Sequence, residues 1–189
     1  MGINNMVSVT KESIGELVNI AKKLGATDAK IIKPEEVVVR NWVRLKCQYG
    51  CGGYGKRLTC PPYSPTPEET RRILKEYEWA IFMKFEGAPA GKAEDAEKYE
   101  KSLPDLVVKI EREAFLKGYY AAFGMAAGPC PFCEDECNLG RCRHPYEARP
   151  SMEGCGVDVF ATVRNAGFKI NVVRTEREKP TFYALLLVS

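Results

Sequence analysis

Eight cysteines constrain this chain more than any other feature. Cys47, Cys51 and Cys60 form a first run, Cys130, Cys133, Cys137 and Cys142 a second, and Cys155 stands a little beyond it. The long stretch from Pro61 to Pro129 holds none. Disulfides belong to oxidising compartments, and Met1–Val9 lacks both the basic and the apolar segment of an export signal. The expected compartment is therefore the cytoplasm, where thiols crowded in this way serve metals. A disulfide framework is the competing reading and would suit a hyperthermophile. Burial as small apolar residues does not suit the surroundings, Gly50-Cys51-Gly52-Gly53 and Pro129-Cys130-Pro131, which read as loops.

The rest of the composition describes an ordinary folded protein. Hydrophobic residues make up 45% and charged residues 28% of 189, enough apolar material for a core. That length predicts one domain over 1–189, with cysteine-rich loops at 47–63 and 128–155. A net charge of +3 is too small to call for nucleic acid as a partner. The longest apolar run, Tyr119–Ala127, is about half a membrane span, so no membrane association is expected.

Periodicity predicts a mixed α/β fold, a single sheet flanked by helices. A first helix, capped by Thr10, carries Ile14, Leu17, Val18, Ala21 and Leu24 at helical spacing and stops at Gly25. Strands are expected at Ala29–Ile32 and Glu36–Leu45. Thr66, Pro67, Glu68 and Glu69 mark a helix start, with Ile73, Leu74 and Tyr77 on its buried face. Trp79–Phe85 reads as a strand buried on both faces. A helix is expected over Ala93–Lys117, kinked or restarted at Pro104, followed by a strand at Tyr119–Phe123. A short helix is expected directly after Cys155-Gly156, and a hairpin of Phe168–Arg174 with Thr181–Val188 ends the chain.

The first cysteine run reads C-x3-C-x8-C-P-P. It contains Gly50-x-Gly52-x-x-Gly55, but a dinucleotide site must open straight into a helix, which Arg57–Pro62 forbids. The triplet of radical enzymes fails because its third position is Tyr54. Cysteine followed by proline at Cys60-Pro61 is a feature of ferredoxin runs. Three thiols fall one short of the four that zinc or a cubane cluster takes.

The second run reads C-x2-C-x3-C-x4-C. Structural zinc sites pair two C-x2-C knuckles across a longer spacer, whereas a compact, unequal run wraps a cluster from one side. Arg141, Arg143, His144 and Arg149 could offset the negative charge of such a cluster. His144 is the only histidine, which rules out a Rieske centre. No nucleophile–base–orienter set can be assembled, so no catalytic residue is assigned.

Arg57-Leu58-Thr59-Cys60-Pro61-Pro62-Tyr63-Ser64-Pro65-Thr66-Pro67 and the segment from Gly128 to Val159, above all CRHPYEARPSMEGCGVDVF, resemble the DUF2284 family of predicted metal-binding proteins of archaea and anaerobic bacteria. The resemblance implies metal binding by the eight cysteines and no settled reaction.

The leading expectation is an iron–sulfur protein with one or two [4Fe–4S] clusters, delivering electrons to a redox partner protein. Eight thiols divide as four plus four. One grouping is Cys47, Cys51, Cys60 and Cys155 against Cys130, Cys133, Cys137 and Cys142, and the other exchanges Cys142 with Cys155. Cys155, at the start of a helix, would be readily ionised there. Two other readings stay open. One is a zinc-stabilised binding module, using the basic stretch Arg141–Arg149 with Tyr63 and Tyr146. The other is an enzyme with an open-site iron on three cysteines, which requires Cys155 to be no ligand.

Overall fold

The computed structural model describes residues 11–87, 93–133, 136–175 and 178–189. Helix α1 (Lys11–Lys23) leads into strand β1 (Asp28–Ile32), and Gly25, at φ 123°, takes the left-handed turn between them. Thr10, the expected cap, lies outside the described residues. A single 3-10 turn, Pro34–Glu36, precedes helix α2 (Trp42–Gly50). Helix α3 (Pro67–Leu74) starts as the sequence predicts. The Thr66 hydroxyl accepts from Glu69 N–H at 3.2 Å and the Glu69 carboxylate accepts from Thr66 N–H at 2.7 Å, a reciprocal cap worth about 1 kcal/mol.

Strand β2 (Trp79–Glu86), helix α4 (Ala93–Leu116), strand β3 (Phe123–Met125), helix α5 (Val159–Asn165) and strand β4 (Thr181–Val188) complete the order. The strands form one antiparallel sheet in the order β1-β2-β4-β3, with Phe82 opposite Leu185 and Phe123 opposite Leu187. The fold is mixed α/β, as expected.

Strand alternation assigns the two faces of this sheet. Ile81, Met83 and Phe85 of β2, with Ala184, Leu186 and Val188 of β4, meet Ile14 and Leu17 of α1 and Leu103, Val107 and Ile110 of α4. Ala80 and Phe82, with Tyr183, Leu185 and Leu187, point the other way. There they meet Leu74 of α3, Val163 of α5, and Met152, Cys155 and Val157. The first face is a conventional helix layer. The second is roofed by α3, α5 and the chain around Met152–Val157, and it carries Cys155.

Three expected elements differ. Glu36–Leu45 is not a strand. After the isolated bridge of Val39 to Val157 the chain turns into α2, because Arg44 is drawn to the Gly154 carbonyl at 2.7 Å and Val43 into the core. Tertiary packing overrides β-propensity here. Tyr119–Phe123 is not a strand either. Tyr119 N–H returns to Ala114 O and Ala122 N–H to Tyr119 O, so the turn after α4 uses these residues and pairing begins at Phe123. The helix expected over Ala93–Lys117 is present as α4, which runs on through the buried Pro104 without restarting, its apolar stripe held on the sheet at Leu103 and Val107. Finally, Phe168–Arg174 forms no hairpin with β4, both of whose edges are already paired. This segment lies over the second face, with Phe168 packed on Phe82 and Tyr183.

Candidate metal centre

The first cysteine run is partly helical. Cys47 lies in α2 and Cys51 caps it, donating its N–H to Cys47 O at 3.3 Å. The chain then loops over Gly52–Thr59, held by Gly55 N–H on Pro61 O at 2.7 Å. Gly53 sits against the sulfurs. Its N–H donates to Cys51 Sγ at 3.4 Å, and a Cβ there would lie 3.4 Å from Cys60 Sγ and 3.7 Å from Cys51 Sγ. Cys47 Sγ faces the Glu153 carbonyl at 3.8 Å. These three thiols line a cavity of about 880 Å³, walled on its other sides by α2, α5, Ile170–Val173 and Pro180–Tyr183.

Cys155 is placed differently from what the sequence suggested. It ends a one-turn 3-10 helix, Glu153–Cys155, and α5 begins only at Val159, capped by the Asp158 carboxylate on Ala161 N–H. Its thiol therefore does not stand at the start of a helix and is not readily ionised. It is fully buried among Met152, Val157 and Val163, and burial pushes its pKa up to about 12. It is close enough for Cys47 and Arg44 to act on it, yet it does not line the cavity that the other three thiols share.

The second run is irregular in the described residues. Cys130, Cys133, Cys137 and Cys142 together line one small cavity, closed by Arg57, Leu58, Thr59, His144 and Ala148. All eight cysteines are free thiols. Among the described residues no group of three or more His, Cys, Asp or Glu side chains is drawn together closely enough to hold a single metal ion.

The two cavities share a wall. Arg57, Leu58 and Thr59 face the second, and Cys60, the next residue, faces the first. Likewise Gly128 and Pro129 line the first while Cys130 lines the second, and a Cβ added at Gly53 would lie 3.4 Å from Pro129 Cβ. The cysteine regions thus meet in space.

Burial pushes the Cys60 thiol up to about 11 and raises Cys47 and Cys130. Arg57 opposes this at both Cys60 and Cys130, and Arg44 at Cys47. The family model described as a predicted metal-binding protein, DUF2284, matches residues 30–188. The chain belongs to the DUF2284 family. No curated protein and no solved structure matches it significantly.

For this DUF2284 protein the donor set fits a thiolate-bound metal group. The sulfurs gather at two adjoining cavities, and glycine leaves room beside two of them. The expected cations divide. His144 lines the second cavity. Arg141 and Arg143 are exposed near Cys142, and Arg143 donates to Glu136 O at 2.6 Å. Arg149 instead turns away to Glu111. Sequence reasoning missed Arg57, a cation that acts on both cysteine runs. Its signal was its place in the Arg57–Pro67 string that carries the family resemblance. Also missed was the groove wall of Val159, Phe160 and Val172, whose contribution depends on how distant segments pack. No helix among the described residues is long and apolar enough to cross a membrane.

Proposed function

We propose that this DUF2284 protein is a cytoplasmic iron–sulfur redox protein of anaerobic metabolism, with two [4Fe–4S] clusters side by side. Cys130, Cys133, Cys137 and Cys142 would hold one cluster, and Cys47, Cys51 and Cys60 would ligate the other. The observation that carries this reading is the wall Arg57–Cys60 common to both thiol-lined cavities. When bound, such clusters supply one-electron redox chemistry at potentials tuned by burial and by hydrogen bonds to sulfur.

The chain's own residues suit that task. Gly53 N–H already points at Cys51 Sγ, a contact that stabilises a thiolate. Arg57 offsets negative charge at both sites. In the second cavity Cys130 is buried, while Cys133, Cys137 and Cys142 keep part of their surface exposed. Arg141, Arg143 and Tyr146 surround the exposed side of Cys142 and would receive an acidic face of a redox partner protein.

The test is purification of the full chain without oxygen. Brown protein with about four iron and four sulfide per occupied site supports the reading. Colourless protein carrying zinc and no sulfide refutes it in favour of a zinc-stabilised binding module.

A further inference from the structure

Resting on the iron–sulfur reading, we infer that the first cluster is held by three thiolates only, and that its fourth corner opens on the groove to take a small amphiphilic anion. The backbone around Cys155 decides the first part. The Gly154 carbonyl accepts from Arg44 at 2.7 Å and from the Ser64 hydroxyl at 2.6 Å. The Cys155 carbonyl accepts from the Thr70 hydroxyl at 2.7 Å. Cys155 N–H is used within its own turn, on Ser151 O and Met152 O. Pinned at these points, the turn directs the thiol into the apolar core, and it presents the Glu153 carbonyl to Cys47. A fourth thiolate from Cys155 would require this turn to unlock and the core to open.

The groove decides the second part. Its volume, about 880 Å³, lies in the range of small-molecule sites, and Cys47, Cys51 and Cys60 stand in its wall. Trp42, Phe160, Val172 and Val173 keep between 41% and 62% of their surface exposed around it, an apolar lining that nothing in the chain covers among the described residues. Lys46 lines the same cavity next to Cys47, and two carboxylates line it as well: Asp158, which is committed to capping α5, and Glu153. An apolar body along the lining, with an anionic oxygen or sulfur donor reaching the open iron beside Lys46, matches this arrangement.

The experiment uses the full chain, reconstituted without oxygen with isotopically enriched iron and sulfide. Cys155→Ala should keep the wild-type content of about eight iron and eight sulfide per chain, whereas Cys51→Ala should lose about half. Mössbauer spectra of wild type and Cys155→Ala alike should show one distinct iron subsite that shifts when octanoate is added. Acetate, without the apolar body, should need at least about tenfold higher concentration. Loss of half the iron in Cys155→Ala would overturn the three-thiolate site and leave the iron–sulfur reading standing. Retention of all iron in Cys51→Ala would do the same. Spectra that ignore octanoate, or respond equally to acetate, would overturn the groove assignment. Zinc without sulfide in the wild type would overturn the functional reading and this inference together.

Discussion

Glu111 joins helix α4 to the chain that closes the second cysteine cavity, and its replacement by alanine should destabilise the protein severely. Its carboxylate accepts from Arg149 Nε at 2.7 Å, from Arg149 Nη2 at 2.5 Å and from Gly124 N–H at 2.7 Å. Both side chains are only 14% exposed, and the guanidinium also stands 5.6 Å from the Phe123 ring centroid. Removing one partner of a buried pair leaves the other as an uncompensated charge, at a cost of about 3–5 kcal/mol. The remaining exposure lets water reach part of the guanidinium, so the lower end, about 3 kcal/mol, is expected. For a chain of this size that lowers Tm by about 6–12 °C. The assay is denaturant unfolding of the metal-free protein, which isolates the pair from any bound group. Glu111→Leu combined with Arg149→Met should recover much of the loss, since no charge is then stranded. A single variant that costs less than about 1 kcal/mol, or a double variant whose losses simply add, would refute the reasoning.

Gly156→Ala should cost about 2 kcal/mol or more, measured by the same unfolding assay. The residue sits at φ 83°, and an added Cβ would lie 2.8 Å from Cγ of Pro67 in α3. A pH effect follows from Cys155. The fold raises its pKa from 9.0 to about 12 and so favours the neutral thiol. That contribution is complete below about pH 9 and is lost as pH rises toward 12, up to about 4 kcal/mol by linkage. Metal-free wild type should therefore lose stability over this alkaline window more steeply than Cys155→Ala, and parallel curves for the two would count against the burial argument.

The elements with strong local signals were legible in the chain. α3 announces itself through Thr66, Pro67 and Glu69, because a cap is made by residues three apart. β2 and the stripe of α4 are legible because their periods are local and the fold buries both faces of Ala80–Met83. Membership of a family of predicted metal-binding proteins was also legible, since the spacing of the cysteines within each run needs no fold to be seen. What the chain alone could not decide were facts about distant segments. α2 is a helix because Gly154, remote in sequence, holds Arg44. Phe168–Arg174 is no strand because β2 and β3 already occupy both edges of β4. The placing of the two cysteine cavities on either side of Arg57–Cys60 depends on bringing Pro129 against Gly53. Cys155 shows the difference most directly. Its expected place at the start of a helix suggested a readily ionised thiol. The hydrogen bonds of Thr70, Ser64 and Arg44 to its turn instead bury it in the core. Local pattern reports which conformations a segment favours, while the partners of its backbone carbonyls, supplied from elsewhere in the chain, decide which way a side chain faces.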